Sequence, residues 1–145
     1  GLNKVIAKEG RKPVICLDTT FIIDFLKNDT RAINACNKSK HETLVTTTVN
    51  IFEILFGILK RKQITRAKEI NGFMEFINNV DVLSLDYKSS IRASELASDL
   101  VNKGMQIESN DCLIAGIILA NNCNSIITLD KEHFERIKGI KVESY

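Results

Sequence analysis

The sequence has no CxxC cysteine pair, no apolar run long enough to span a bilayer and no aromatic-rich strand. Each absence removes a class of protein. The four cysteines, Cys16, Cys36, Cys112 and Cys123, lie far apart, which argues against a zinc ribbon or a dithiol redox motif. Cys16 and Cys112 sit in apolar runs, where free thiols behave as small hydrophobes, so a reducing, cytoplasmic setting is expected. The two histidines, His41 and His133, lie in polar stretches and read as surface side chains rather than ligands. The longest apolar run, Cys112 to Ala120, is about half the roughly 20 residues of a membrane span. No apolar leader segment is read in the first residues, and no contact with a membrane is expected. Without an aromatic strand, no platform for stacking single-stranded bases is visible. The net charge of +2 permits a nucleic-acid partner without requiring one.

What is present is an ordinary globular composition, 44% apolar and 26% charged over 145 residues. That length suits one domain with a genuine core. No repeat, low-complexity tract or linker divides it. Residues 1–13 read as an N-terminal extension of unknown role, and residues 14–145 as the domain.

Within that domain, strands are predicted at 14–18, 43–46, 80–85, 125–129 and 140–143. Helices are predicted near 21–26, 31–38, 49–59, 65–78, 87–103 and 111–121, with a helical turn at 131–136. The helix over 49–59 is apolar nearly all round, which predicts burial on more than one side, with Thr48 or Asn50 as its cap. The helix over 65–78 carries a stripe of Ala67, Ile70, Met74 and Ile77. Strands alternating with helices imply an α/β fold in three layers, α/β/α, around a mostly parallel sheet of about five strands.

Carboxylates then stand out by position. Asp18 ends the apolar run Val14-Ile15-Cys16-Leu17, at the strand edge where ligands of such sheets collect. A buried charge there needs a cation, a cluster of donors or a proton. Asp130 repeats the arrangement after Ile126-Ile127-Thr128-Leu129, or else simply caps the next helix. Glu53 lies mid-helix in an apolar run, either on the one wet edge or facing something positive. Asp111 opens another apolar helix, where the helix dipole alone would favour it.

As a set, these four acids are expected to converge above one sheet edge. Oxygen-only ligands suit a hard cation, Mg²⁺ or Mn²⁺. Such a site can bind phosphate oxygens and acidify a water for phosphodiester hydrolysis. The cations Lys60, Arg61, Lys62, Arg66 and Lys68 fall at a junction of two helices. They are either a solvated helix end or a surface for a nucleic-acid backbone.

The motifs Leu17-Asp18-Thr19-Thr20-Phe21-Ile22-Ile23-Asp24, Val49-Asn50-Ile51-Phe52-Glu53, Asn110-Asp111-Cys112-Leu113-Ile114-Ala115 and Ile127-Thr128-Leu129-Asp130 with Phe134 resemble a PIN domain. The nearest flavour is the VapC-type ribonuclease toxin of prokaryotic toxin–antitoxin pairs. The resemblance runs from about Val14 to Val142. It implies a PIN fold and a Mg²⁺- or Mn²⁺-dependent endoribonuclease acting on RNA. Asp18, Glu53, Asp111 and Asp130 match the family's acidic quartet. Thr19 or Thr20, Asn110 and Thr128 match its supporting polar positions. It also implies a small antitoxin partner and a homodimer.

Four other readings remain. A housekeeping RNA-processing PIN nuclease would carry the same acids, and an inert PIN-like scaffold would bind RNA or protein without cutting. An aspartyl-phosphate phosphatase also starts from a strand-end Asp, but it wants a second acid where Thr20 stands. A phosphoacceptor receiver domain wants an early acid pair that is absent.

Overall fold

The computed structural model describes residues 13–62 and 64–145; the expected extension lies almost wholly outside them. Strands β1 (Val14–Leu17), β2 (Thr43–Thr47), β3 (Asp81–Leu83), β4 (Ser125–Ile127) and β5 (Lys141–Glu143) form one sheet in the order β3-β2-β1-β4-β5. Every pairing is parallel. The helices are α1 (Thr19–Leu26), α2 (Thr30–Lys38), α3 (Thr48–Leu59), α4 (Arg66–Ile77), α5 (Tyr87–Asn102), α6 (Ser109–Ala120) and α7 (Lys131–Glu135). The predicted α/β/α architecture is observed.

β1 shows why the sheet must be covered twice. All four of its residues are buried, and successive side chains point to opposite faces. Val14 and Cys16 join Val45, Leu100, Ile114, Ile117, Ile118 and Phe134 in one core. Ile15 and Leu17 join Phe21, Ile22, Ile54, Ile58 and Phe73 in the other. A central parallel strand is therefore apolar throughout rather than alternating. The cysteines are free, and Cys16, Cys112 and Cys123 are buried, as expected of apolar thiols. No helix among the described residues is long and apolar enough to cross a membrane.

Local chemistry sets the helix ends. Asp29 caps α2 through the amides of Arg31 and Ala32. Asp86 and Ser89 form a reciprocal capping box on α5, satisfying donors that the first turn leaves free. Gly104, at φ 68°, supplies the left-handed residue that stops α5.

Four expectations need correction. Thr47, not Thr48 or Asn50, caps α3 by accepting from the Asn50 amide. The all-round apolar surface of α3 is not all buried: Phe52 and Phe56 are 58% and 55% exposed. In α4 the buried stripe is rotated, with Phe73 fully covered while Ala67 and Met74 lie outside. The Phe73 ring packs with Ile22, Ile54 and Ile58, and a buried phenyl is among the largest apolar contributions a helix can make. The third and fourth strands are also shorter than predicted, at three residues each.

α5 and α6 approach backbone to backbone. A Cβ on Gly116 would lie 2.6 Å from the Ala93 Cβ and 2.7 Å from its amide nitrogen. No side-chain rotation relieves such an overlap. Gly116→Ala is therefore expected to destabilise the fold by about 2 kcal/mol or more, read as a lower urea midpoint at unchanged slope.

Candidate active site

Strand numbers rise away from β1 in one direction through β2 and β3, and in the other through β4 and β5. The gap between the carboxyl ends of β1 and β4 is thus the topological switch point, where α/β sheets open a crevice. Asp18 stands there, 2% exposed, its amide bonded to the Ile127 carbonyl across the gap at 3.1 Å.

Asp18 occupies the N-cap position of α1, yet its side chain makes no cap hydrogen bond to the helix interior. Its carboxylate is committed elsewhere. Asn50 Nδ2 donates to Oδ1 at 2.9 Å, and the Thr128 hydroxyl donates to Oδ2 at 2.6 Å. Thr128 Oγ1 also accepts the Asp130 amide at 2.9 Å, so one hydroxyl connects the two strand-end acids. Thr20 completes this side, its hydroxyl oxygen accepting the Leu129 amide at 3.0 Å.

Glu53 is drawn in from α3. Its Oε1 accepts from the Thr19 hydroxyl at 2.7 Å and its Oε2 from Asn110 Nδ2 at 3.3 Å. Asn50 Nδ2 also reaches Thr19 Oγ1 at 3.0 Å, closing a continuous path from Asp18 to Glu53. Asp111, 6% exposed in the first turn of α6, meets His133 Nδ1 at 2.6 Å. Asp130 is the outermost acid, exposed at the N-terminus of α7 and making no side-chain cap bond.

These carboxylates feel one another. Burial pushes the Asp18 carboxyl up to about 6, helped by the charge of Asp111 and opposed by the bonds from Thr128, Thr19 and Asn50. Burial likewise raises Asp111, opposed by His133 and reinforced by the charges of Asp130 and Glu53. The hydrogen bond to Asp111 in turn raises His133.

Asp18 is thus a buried acid whose neighbours are neutral donors and other acids. That imbalance, with an all-oxygen donor set, fits a hard divalent cation. Among the described residues no three acid, imidazole or thiolate groups stand close enough to hold an ion as they are. Drawing the carboxylates together around an ion would exchange the bonds Glu53 now makes with Thr19 and Asn110, whereas the His133 bond engages only Oδ2 of Asp111.

Two residues were misread from the sequence. Asn50, taken as a possible cap, is fully buried and bridges Asp18 to Thr19. An amide placed three residues before Glu53 in an apolar helix was the available signal. His133, taken as a surface side chain, touches Asp111. Its signal was weaker, a histidine beside Phe134 just after a strand-end acid.

The basic junction lies apart from the acids. Lys60, Arg61 and Lys68 line a cavity of about 490 Å³ with Ile23, Ile54 and Phe73, and none of the four acids lines it. Arg61 bonds the Gly57 carbonyl and Glu69, and Arg66 bonds the Arg61 carbonyl. Lys62 is exposed.

A fold of this topology with acids at the switch point defines a nuclease-like α/β class, and the comparisons make it specific. The PIN domain family model matches residues 15–140, and the chain belongs to that family. It is 24% identical over 129 residues to the tRNA(fMet)-specific endonuclease VapC of Salmonella typhimurium, covering 89% of this chain and 96% of that protein. Ribonuclease VapC2 of Rickettsia felis is 24% identical over 107 residues, covering 74% and 78%. Among solved structures, VapBC2 from Rickettsia felis bound to a promoter DNA fragment superposes with a TM-score of 0.81 at 22% identity, covering 91% and 98%. VapBC from Salmonella typhimurium bound to DNA gives 0.78 at 23%, covering 91% and 98%.

The raised Asp18 carboxyl has a consequence for stability. Its folded pKa exceeds the unfolded value, so its stabilising effect is full below about pH 4 and is lost as pH rises through about 6. Asp18→Asn is expected to stabilise the ion-free protein at pH 7.5 by up to about 3 kcal/mol. That gain should vanish near pH 3.5, as followed by chemical unfolding at both pH values.

Proposed function

We infer that this chain is a metal-dependent endoribonuclease of the toxin type, hydrolysing RNA phosphodiesters. The observation that carries the reading is Asp18: a buried carboxylate at the switch point, in electrostatic reach of Asp111, which in turn feels Glu53 and Asp130. The VapC relatives are named as nucleases, which supports the same reaction class.

Asp18, Glu53, Asp111 and Asp130 would hold Mg²⁺ or Mn²⁺. When bound, the ion supplies positive charge against the phosphate oxygens and acidifies a water. The chain's own part is positioning. Thr128 and Asn50 hold Asp18, Thr19 and Asn110 hold Glu53, and Thr20 ties the start of α1 to the end of β4. Hydrolysis then joins a water oxygen to phosphorus as the ester P–O bond breaks and the leaving oxygen takes a proton. No side chain in this cluster is placed as a nucleophile that would require a covalent intermediate.

The partners follow from two surfaces. The cavity rimmed by Lys27, Lys60 and Lys68 over Leu26, Ile58 and Phe73 suits an apolar segment with acidic flanks, as a small antitoxin would offer in a cytoplasmic toxin–antitoxin pair. The same lysines with Lys62 would meet the backbone of single-stranded RNA, alongside Arg61 and Arg66, which are held at this junction by Gly57, Glu69 and the Arg61 carbonyl, so an antitoxin seated there would compete with substrate. A homodimer face is offered by α3, where Phe52 and Phe56 stack at 5.8 Å with Lys60 over the Phe56 ring. Leu85, bonded through its amide to Thr48 one turn earlier on α3, extends this patch toward exposed Tyr87 and Ile91.

Two measurements test these assignments. Asp111→Asn should cut labelled single-stranded RNA roughly 1,000-fold more slowly than wild type, since several kcal/mol of charge stabilisation are at stake. EDTA should abolish wild-type cutting, and cutting that survives both changes would reject the site. Separately, Phe52→Glu with Phe56→Glu should convert a dimer to a monomer in light scattering, with the circular dichroism unchanged. A monomeric wild type rejects the dimer.

A further inference from the structure

α7 is short, but its position is tightly set. Phe134 is fully buried in the core, and the Asp130 amide at its start is held by Thr128. This anchoring delivers the neighbouring His133 to Asp111, with Nδ1 2.6 Å from Oδ2. The imidazole is one-third exposed, whereas the Asp111 side chain is 8% exposed. The histidine therefore covers one oxygen of a carboxylate that is otherwise out of water. Against an ionised carboxylate Nδ1 must be the donor, which fixes the tautomer.

Asp111 needs such a donor. It is buried and faces the negative charges of Asp130 and Glu53. Repulsion from those charges works against keeping it in the cluster. A short N–H···O bond to a carboxylate is among the stronger protein hydrogen bonds. A rigid ring carried on a backbone held by Phe134 and Thr128 imposes a narrower geometry than a long flexible cation would. Carboxylates that ligate metals are commonly held by such outer partners, at 10- to 100-fold in affinity.

We propose that His133 is a positioning residue of the ion site, its Nδ1–H holding the Asp111 carboxylate in the cluster for a hard divalent cation. This rests on the nuclease reading above, and the experiment separates the two. Mn²⁺ binding is measured by calorimetry, and by electron paramagnetic resonance of the free ion, for wild type, His133→Ala and His133→Asn. His133→Ala should bind Mn²⁺ about 10- to 100-fold more weakly, with its ion-free circular dichroism unchanged. His133→Asn should recover most of the loss, because the Asn amide donates from nearly the same point.

A purely structural histidine would leave the Mn²⁺ affinity unmoved, so equal affinity of His133→Ala and wild type overturns the proposal. Wild type that binds no Mn²⁺ overturns the ion reading together with it. Nitrogen-15 spectroscopy of the ion-free protein gives an arm that needs no metal. The neutral His133 ring should carry its proton on Nδ1, and this signature should change in Asp111→Asn. A ring protonated on Nε2 alone overturns the proposal.

Discussion

The structure depends on placing one carboxylate, Asp18, where two parallel strands diverge. Its backbone amide continues the β1–β4 ladder by bonding Ile127, so the chain cannot move it without opening the centre of the sheet. Its side chain is then obliged to find donors above the sheet, and the donors come from β4 and α3. One residue thus joins the sheet to helices on its functional edge. An ionised acid so placed raises the energy of the ion-free fold, a cost that burial of the two apolar cores offsets.

The remaining acids are arranged by the same logic at lower burial. Glu53 and Asp111 ride on helices that are apolar elsewhere, and each carboxylate is met by side chains from other elements. The close Gly116–Ala93 approach keeps α6 tight against α5, which fixes the helix that presents Asp111. Exposed apolar side chains include Phe52, Phe56 and Leu59 on α3, Tyr87, Ile91 and Val101 on α5, and Leu129 beside Asp130.

Much of this was legible in the sequence because the signals were contrasts. Asp18, Glu53 and Asp111 interrupt apolar runs, and interrupted runs mark burial whatever the fold. A mostly parallel sheet covered on both faces followed from the alternation of strands and helices, with the resemblance to PIN domains adding the acid set. What was not legible depended on rotation and reach. Whether Phe73 or Met74 faces the core is a matter of 100° about α4, which a loosely periodic pattern does not decide. His133 lay in a polar stretch, and its contact with Asp111 spans 22 positions. Asn50 read as a cap because amides at helix starts usually are; Thr47 took that role and released Asn50 for the interior.

That release has an effect on orientation. The Thr47 hydroxyl donates its single proton to Asn50 Oδ1 at 2.6 Å, while its oxygen accepts the Asn50 amide. Flipping this amide would set its oxygen against the Asp18 carboxylate, two acceptors facing each other. The Asn50 NH₂ must therefore face Asp18 and Thr19. Hydrogen-bond polarity in the cleft is thus set by the Asp18 carboxylate and relayed through Asn50 to the Thr47 hydroxyl at the end of β2. Such a site is preorganised: its dipoles are already aligned when charge arrives, and no reorientation remains to be done.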